Sequence, residues 1–369
     1  MILTCIIISL YVILILFYRI GWSRLEISNV NTISQEISVV IALRNEEKNI
    51  ARLIQELNNQ SYNHKKIEFI MIDDHSEDAT LKLLYQHQEK LKNLTILQQE
   101  KGSFGKKNAI IKGIQESSGE IIVTTDADCS FHKNWLTSIT NYFIDPDIKL
   151  VVGPVGFSNI KNIWERFQEL EFLSLVGSGA SSIGIKRGIF CNGANLAYKR
   201  DLIIDNNHKI FKKNIASGDD VFLMHYIKRR FPDGVVFAKS EEAIVKTHPI
   251  SKIDEFINQR KRWTAKSMSY RDIDSIFAGT IVFLTNLLFP TLIIASCFEY
   301  ELLYYLIIFL LLKFIVDALF LYPVLNFFKR RSLLKFILFF ELIYSFYILL
   351  IVIVSFTSSF IWKGRSYKQ

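Results

Sequence analysis

Several marks of common protein classes are missing from this 369-residue sequence. It has four cysteines and no Cys-x-x-Cys pair, which excludes a disulfide framework and predicts a reduced compartment. None of its seven histidines has the spacing of zinc ligands. Neither Gly-x-Gly-x-x-Gly nor Gly-Lys-Ser/Thr follows a predicted strand, so neither a dinucleotide-binding fold nor a P-loop is supported.

The apolar residues are concentrated towards the two ends of the chain. Residues 2–18 form one apolar run, and three more follow at 276–298, 302–323 and 336–362. Each is near the roughly 20 residues that cross a bilayer. The first run has neither a Lys/Arg-rich start nor an Ala-x-Ala-like cleavage site, so we interpret it as a retained membrane anchor.

The net charge of +8 is concentrated beside these apolar runs. From Lys329 to the end, seven basic residues stand against one acid, Glu341. This is the positive-inside pattern of a membrane protein, and it argues against nucleic acid as a partner. Arg19 and Arg24 follow the first run. They place the middle of the chain in the cytoplasm, and we expect an integral protein of a bacterial inner membrane.

Strand and helix patterns alternate in the first half of the middle region. We predict strands at 36–43, 67–73, 94–98 and 120–126. Helices are expected to open at Asn45, after Ser76 as N-cap, and at Lys106. This alternation predicts an α/β fold with a mostly parallel sheet between helices. Ligands of such sheets bind beyond the carboxyl ends of the strands.

The last of these strands delivers two carboxylates, Asp126 and Asp128. Residues i and i+2 of a strand point the same way, about 6–7 Å apart. The two carboxylates repel each other unless a cation lies between them. A hard divalent cation carrying phosphate oxygens is the natural occupant.

Seven segments, in this order, resemble the motifs of family 2 glycosyltransferases: Ile41–Glu46, Asp73–Thr80, Gly105–Ala109, Asp126–Asp128, Gly193–Tyr198, Gly218–Leu223 and Gln259–Trp263. The resemblance covers roughly residues 36–270, and Trp362–Arg365 adds an ending that membrane-bound members share. It implies a GT-A nucleotide-sugar-binding domain, Rossmann-like, with N-terminal and C-terminal transmembrane helices. The domains implied are an anchor (1–24), the GT-A catalytic domain (30–250), an interfacial amphipathic helix carrying Gln-x-x-Arg-Trp (251–272), and a C-terminal membrane region with a basic cytoplasmic tail (275–369).

The resemblance also implies roles for individual residues. Asp126 and Asp128 would hold Mg²⁺ or Mn²⁺ as a Lewis acid on the leaving diphosphate. Asp220 would be the general base, and the adjacent Asp219 would raise its proton affinity. The donor nucleotide would be bound by Glu46, Asp74, Lys106 and Asp126. The diphosphate and the acceptor would be bound by Gly193, Asn195, Asp219, Gln259, Arg262 and Trp263.

Several of these residues also have a purely structural interpretation, and Asp126 and Asp128 could be a solvated strand end. Glu46 suits the first turn of a helix, Lys106 suits a solvated helix start, and Asp74 suits an Asx-turn. Asp219 and Asp220 could cap the helix that follows them. The last motif could belong to an interfacial helix whose basic residues face lipid headgroups, namely Lys252, Arg260, Lys261, Lys266 and Arg271.

The activity implied by the resemblance is inverting transfer of a sugar from a nucleoside diphosphate sugar, most commonly a UDP-sugar. The acceptor would be a membrane lipid or a lipid-linked glycan. A processive polysaccharide synthase is the alternative, although three C-terminal spans are few for a polymer channel. A catalytically inactive scaffold with a GT-A-like domain is the third hypothesis.

The basic residues after the last apolar run conflict with a simple three-span topology. A simple crossing by 336–362 would leave Lys363, Arg365 and Lys368 outside, against the positive-inside rule. Its 27 residues would make about 40 Å of helix, too short for two crossings of a roughly 30 Å core. We therefore predict that one C-terminal segment does not cross fully and that the tail is cytoplasmic. A tilted or re-entrant 336–362 is preferred over a break in a neighbouring span near Pro290 or Pro323.

Overall fold

The computed structural model describes residues 2–27, 35–206, 210, 219–357, 360–362 and 365–367. They form two compact units. The sheet unit contains the described residues of 25–159 and 191–249. The helical unit contains residues 2–24, 160–190 and the described residues from 250 onwards. Residues 160–190 thus group with the apolar helices, whereas the sequence placed them inside an unbroken domain at 30–250.

The sheet unit is built on seven hydrogen-bonded strands in the order β3-β2-β1-β4-β7-β5-β8. Their bounds are β1 Ile37–Leu43, β2 Ile67–Asp73, β3 Leu94–Gln98, β4 Ile121–Thr125, β5 Leu150–Val152, β7 Asn195–Lys199 and β8 Val235–Phe237. Strands β3, β2, β1 and β4 are parallel, as predicted, and β7 is antiparallel to both β4 and β5. The predicted α/β class is confirmed.

The register aligns the carboxyl ends of the parallel strands. Leu43 pairs with Asp73, and Asp73 pairs with Gln98, so the loops after β1, β2 and β3 leave the sheet at the same edge. Strand β7 runs the other way, and Asn195 at its start pairs with Thr125 at the end of β4. Gly193 and Ala194 are therefore brought to the edge where β4 ends.

Short helices connect these strands: α2 Ile50–Asn58, α3 Thr80–His87, α4 Lys106–Glu116, α5 Trp135–Thr140, α7 Asp201–Ile204 and α8 Asp219–Arg230. Helix α4 packs closely on the sheet, because a Cβ at Gly113 would lie 2.4 Å from Val40 Cγ1. Two predicted helix starts are wrong. Helix α2 begins at Ile50 rather than Asn45, and Ala79 rather than Ser76 is the N-cap of α3.

The reason for both late starts is a set of hydrogen bonds between the two loops. Asn45 has a φ of 52°, outside the helical region. Its backbone N–H donates to Ser76 Oγ at 3.0 Å, and its side-chain Oδ1 accepts from the Glu77 N–H at 2.9 Å. Ser76 is thus engaged with the loop after β1 and does not cap its own helix.

A second, two-stranded sheet completes the sheet unit. Strands β6 (Val155–Phe157) and β9 (Val245–Thr247) are parallel. A single bridge joins Ser130 to Lys246, so the loop after β4 is attached to β9.

The helical unit contains α1 Ile2–Ser23, α6 Ile163–Gly184, α9 Ile253–Ser267, α10 Ile273–Ser296, α11 Leu302–Phe327 and α12 Ile337–Thr357. Helix α6 packs against α1 and α11, which explains its place in this unit. Among the residues that the structure describes, four helical segments are long and apolar enough to cross a membrane: Ile2–Ser23, Ile273–Ser296, Leu302–Phe327 and Arg331–Phe356. The predicted N-terminal and C-terminal apolar helices are present.

The last apolar run is not one continuous element. Helix α12 ends at Thr357, and β10 (Phe360–Trp362) then pairs antiparallel with β11 (Arg365–Tyr367). Glu341 and Ser345, which the sequence marked as poor lipid-facing residues, are only 8% and 2% exposed. Lys363 and Lys368 lie outside the described residues, and the cytoplasmic tail stays a prediction.

Two arginines neutralise buried carboxylates on α6. Glu171 Oε2 accepts from Arg260 Nη2 at 2.5 Å, and Glu169 Oε1 accepts from Arg330 Nε at 2.6 Å. Burial raises the pKa of Glu169 although Arg330 opposes the shift. Nothing in the local sequence pattern indicates these pairs, because their partners are more than 80 residues apart.

Candidate active site

Asp126 and Asp128 follow β4 at the edge where the parallel strands end. The strand is a buried β-branched run, and the chain turns as soon as it leaves the sheet. The Asp126 side chain keeps 36% of its surface exposed, so it is available to a ligand. Its Oδ1 accepts from Lys106 Nζ at 2.5 Å. The structure thus joins two residues that the sequence assigned to the donor.

Lys106 is the first residue of α4, and Gly105 before it has a φ of 94°. A residue with a side chain rarely adopts that φ, so glycine suits this turn. Asp74 Oδ2 accepts from the Gly105 N–H at 3.0 Å and fixes the start of the helix. Burial lowers the pKa of Lys106, but the nearby carboxylates of Asp126, Asp219 and Asp220 outweigh burial, and the net shift is upward. Lys106 is therefore a permanent cation.

The second carboxylate of the pair is held by β9. Asp128 Oδ2 accepts from Thr247 Oγ1 at 3.1 Å. Arg52, on α2, donates to the carbonyl oxygens of Cys129 at 2.6 Å and Ala127 at 3.4 Å, which fixes the backbone of the motif. The sequence analysis assigned no role to Arg52 or Thr247, because neither lies in a motif.

The oxygen atoms around this motif suit a hard divalent cation. Burial and the neighbouring Asp128 and Asp126 raise the pKa of the Cys129 thiol, so the sulfur stays protonated and is a poor ligand. No group of three His, Cys, Asp or Glu that could hold a metal occurs among the residues that the structure describes. Mg²⁺ is commonly bound by one or two carboxylates together with substrate phosphates and water, so a pair is sufficient.

Asp219 and Asp220 open α8 and lie beside the same lysine. Lys106, Gly193, Asp219 and Asp220 all line one small cavity of the sheet unit. Asp220 Oδ2 accepts from the Gly193 N–H at 3.0 Å, and its Oδ1 accepts from the Val221 N–H at 2.8 Å. A Cβ at residue 193 would lie 3.3 Å from Asp220 Cβ, so glycine allows this close approach.

Asn195 differs from its predicted role as a direct ligand. It has no exposed surface. Its Nδ2 donates to the carbonyl oxygens of Pro154 and Ala243 at 2.8 Å each, and its Oδ1 accepts from Trp135 Nε1 at 3.0 Å. These bonds use the whole amide, so the side chain positions the start of β7 from the interior.

Asp74 and Glu46 also have structural contacts. Asp74 is 1% exposed and holds the Gly105 loop, which leaves little surface for a nucleotide. Glu46 Oε2 accepts from Asn49 Nδ2 at 2.7 Å, and the Glu46 N–H donates to Thr80 Oγ1 at 2.7 Å. Arg44, which the sequence analysis left without a role, donates to the carbonyl oxygens of Asp74 and His75.

Gln259, Arg262 and Trp263 lie on α9 in the helical unit, and all three are half-buried. Between them in sequence, Arg260 is 3% exposed and stacks over Trp263, with its Cζ 4.2 Å from the ring centroid. Gln259 Oε1 accepts from Arg260 Nη1. The expectation that the basic residues of this helix face lipid headgroups is wrong for Arg260, Lys261 and Lys266, because all three are buried.

Comparison with known proteins identifies the matched region. A protein-family model described as Glycosyl transferase family 2 matches residues 38–205. Those residues form a family 2 glycosyltransferase domain. The matched segment includes Asp126, Asp128, Gly193 and Asn195 of the site and ends before Asp219.

The relatives of the family 2 domain differ in what their names say they make. Glycosyltransferase AglE of Haloferax volcanii is 27% identical over 61% of this chain and 71% of its own length. A beta-monoglucosyldiacylglycerol synthase of Synechocystis is 28% identical over 37% of this chain but 29% of its own length. A poly-beta-1,6-N-acetyl-D-glucosamine synthase of Staphylococcus aureus is 27% identical over 46% and 40%.

A solved structure supports the fold of the whole chain. The mannosyltransferase PcManGT of Pyrobaculum calidifontis, solved with GDP-Man and Mn²⁺, covers 94% of this chain and 99% of its own, with 16% identity and a TM-score of 0.55. The expected GT-A fold is confirmed. At that identity the likeness establishes the fold alone.

Proposed function

We propose that this chain is a metal-dependent, inverting glycosyltransferase that moves a sugar from a nucleoside diphosphate sugar to a hydroxyl group of a membrane lipid or lipid-linked glycan. One observation carries the proposal: the Lys106 ammonium lies 2.5 Å from Asp126 and lines the same small cavity as Asp219 and Asp220. A cation for phosphate, a metal-binding carboxylate and a candidate base are thus adjacent.

Binding of the donor needs positive charge for the diphosphate. Lys106 supplies a permanent point charge at the start of a helix, next to the exposed carboxylate of Asp126. Asp126 and Asp128 would hold Mg²⁺ or Mn²⁺, which would neutralise the leaving diphosphate as a Lewis acid. Thr247 holds the Asp128 side chain, and Arg52 holds the backbone of the motif at Cys129.

Attack by the acceptor needs a group that takes its proton. We assign this role to Asp220, because backbone N–H groups of Gly193 and Val221 orient both carboxylate oxygens. A carboxylate oxygen has two lone pairs, so one that accepts a backbone N–H can also accept a hydrogen bond from a hydroxyl. The acceptor oxygen then bonds to the anomeric carbon as its bond to the diphosphate breaks, and the proton passes to Asp220. A single displacement of this kind inverts the anomeric configuration.

The remaining predicted residues take supporting roles in this proposal. The negative charge of Asp219 raises the proton affinity of the adjacent Asp220. Glu46 and Asp74 hold the loops around the nucleotide pocket. Asn195 holds Gly193 in place from the interior. Gln259, Arg262 and Trp263 are proposed to bind diphosphate and acceptor, an assignment that rests on the family resemblance.

A membrane acceptor is supported by the four helices that are long and apolar enough to cross a bilayer. The glucosyldiacylglycerol synthase among the relatives is named for a lipid product. The positive-inside pattern around Arg19, Arg24 and Lys329–Arg331 supports an inner-membrane protein with a cytoplasmic sheet unit.

Processive synthesis of a polysaccharide is the second candidate. The poly-beta-1,6-N-acetyl-D-glucosamine synthase among the relatives favours it. The number of sugars added to each acceptor separates the two candidates. A processive polymerase makes long chains while most of the acceptor is still unused, whereas a single-transfer enzyme adds one sugar to each acceptor.

A donor screen tests the proposal. Purified full-length protein in lipid nanodiscs is incubated with UDP-sugars and GDP-sugars, with Mn²⁺, with Mg²⁺ and with EDTA, and release of nucleoside diphosphate is measured. We expect release with one or a few donors, only when a divalent cation is present. Equal release in EDTA would contradict the metal assignment, and no release with any donor would favour the inactive scaffold.

A further inference from the structure

The helical unit surrounds a cavity of ≈ 840 Å³. Binding pockets for small molecules have volumes of about 300–1,000 Å³. All of the residues that line it belong to the helical unit, and most are apolar, among them Phe167, Leu170, Phe283, Phe320 and Phe340. A cavity of this size and character suits the hydrocarbon part of a lipid.

One wall of this cavity carries buried charged groups. The Tyr11 hydroxyl lies 2.7 Å from Asp317 Oδ1 and 2.9 Å from Asp317 Oδ2. Lys313 Nζ donates to Asp317 Oδ2 at 2.6 Å. Glu341 Oε1 lies 3.7 Å from the same ammonium. Charged side chains on apolar helices of this kind are costly and usually mark a functional site.

Glu341 is the group that points to a ligand. It is 8% exposed and lines the cavity. Within the described part of the chain, neither of its carboxylate oxygens makes a hydrogen bond of normal length, and the ion pair of Oε1 with Lys313 is long at 3.7 Å. A buried polar atom without such a bond is destabilising, and a ligand with an O–H group would supply the missing bond.

The polar residues of the lining favour a hydroxylated ligand. Ser174, Ser178, Thr264, Ser267 and Ser275 all line the cavity. Glu341 is the fifth residue of α12, about 6 Å of helical rise from its start, where the basic stretch from Arg330 to Lys335 ends. The polar end of a bound lipid would therefore lie near this basic end of the helix.

The charge of the lining argues against an anionic headgroup. Of its three carboxylates, Glu171 is neutralised by Arg260, and Asp317 and Glu341 share the Lys313 ammonium. A phosphate would add negative charge beside two carboxylates that already share one cation. A neutral hydroxyl fits either protonation state of Glu341, because an ionised carboxylate accepts its hydrogen and a protonated one can also donate.

We infer that this cavity binds the acceptor as a neutral long-chain lipid with a free hydroxyl, of the diacylglycerol class, and discriminates against lipid phosphates. The inference rests on the proposed function, because it names the class of acceptor that the enzyme would use. Glu341 would bind the polar end, and the aromatic residues of α6, α10 and α11 would contact the acyl chains.

Photolabelling without any sugar donor tests this inference. The full chain in phosphatidylcholine nanodiscs is irradiated with a diacylglycerol that carries a diazirine and an alkyne on one acyl chain. Competitors are unlabelled diacylglycerol, and phosphatidic acid with the same acyl chains. We expect labelled peptides from α6, α10 or α11, and at least tenfold better competition by diacylglycerol. Equal competition by phosphatidic acid, or labels outside the cavity-lining helices, would overturn the inference.

Variants of the lining residues show whether labelling depends on the cavity itself. Gly279 lines the cavity, and a Cβ built there meets no atom within 4 Å, so the side chain of Gly279→Leu starts in open space. It should reduce labelling about tenfold, whereas Leu284→Phe, at a 37% exposed position outside the lining, should not. Glu341→Gln tests the hydroxyl contact and should weaken binding severalfold. Wild-type labelling of Gly279→Leu would contradict the inference.

The outcome is distinguishable from that of the proposed function. Labelling in the cavity with no transfer from any nucleotide sugar would leave the lipid site standing and reject the enzyme. Transfer to lipid that Gly279→Leu does not reduce would retain the enzyme and reject the site. The melting temperature of each variant, compared with that of Leu284→Phe, checks that it is folded.

Discussion

Lys106 Nζ lies 2.5 Å from Asp126 Oδ1, so a side-chain cation occupies the first carboxylate of the Asp126-Ala127-Asp128 motif. Two unit charges about 4 Å apart attract by roughly 4 kcal/mol at an effective dielectric constant near 20. The same lysine is therefore expected to compete with a metal for Asp126 and to assist the diphosphate when the donor binds.

Replacing Lys106 with Met separates these two effects. Without the ammonium, Mn²⁺ alone should bind about tenfold more tightly, and the nucleotide sugar at least about tenfold more weakly. Isothermal titration with each ligand measures both. Lys112→Met, on the same helix with a partner in Glu100 at 3.6 Å, is the matched control and should change neither. Unchanged Mn²⁺ affinity in Lys106→Met would show that the lysine does not compete.

Asp128→Asn should abolish metal-dependent transfer while the protein stays folded. The amide keeps an oxygen that can accept from Thr247 Oγ1, so the attachment to β9 is preserved. The carboxylate that would bind the metal is lost. Activity at increasing Mn²⁺ is compared with the melting temperature of the variant. Normal turnover at low Mn²⁺ would remove the pair from the mechanism.

Asp220→Asn should lower the rate of transfer by about 10²–10⁴-fold, the usual size of general-base catalysis, with donor affinity near that of wild type. Asp219→Asn should cost less. Because both oxygens of Asp220 accept backbone N–H groups, the amide places its NH₂ against one of them. Donor affinity must therefore be measured in parallel. A larger loss of rate in Asp219→Asn would move the base to that residue.

Glu171→Gln should destabilise the helical unit by about 3–5 kcal/mol, because it leaves the Arg260 guanidinium buried without its counter-charge. Thermal unfolding in detergent measures the loss. The matched control is Glu255→Gln, whose partner Lys252 at 3.2 Å is exposed, and it should have no measurable effect. Equal stability of the two variants would mean that the buried pair contributes little.

A cysteine at Ser366 tests the topology. If the tail is cytoplasmic, a membrane-impermeant thiol reagent should modify it only after the cells are opened. Cys5 and Cys297 are exposed in the structure, so both are first replaced by serine. Modification in intact cells would mean that Arg331–Phe356 makes a complete crossing with the tail outside.

The parallel half of the sheet was predictable from local pattern. Strands Ile67–Asp73 and Leu94–Gln98 have the predicted bounds, because buried β-branched runs between turn residues have few other interpretations. Helix α4 also begins at Lys106 as expected, since Gly105 supplies a positive φ.

Contacts between distant segments were not predictable. Asn195 and Asp74 belong to motifs, and no local feature indicates that their side chains are buried and hydrogen-bonded. Ser76 was misassigned as a helix cap because its partner, the Asn45 N–H, lies 31 residues earlier. Arg260 was expected at a lipid surface, because its partner Glu171 lies 89 residues away.

Following the sugar itself is the most direct test of the proposed transfer. Full-length protein in nanodiscs with diacylglycerol is given a radiolabelled donor and Mn²⁺, and label in the lipid phase is compared with nucleoside diphosphate released, for wild type and Asp220→Asn. We predict one labelled lipid per diphosphate, no long polymer, and a loss of about 10²-fold or more in the variant. Diphosphate release with all label in water as free sugar, or equal rates for both proteins, would contradict this account.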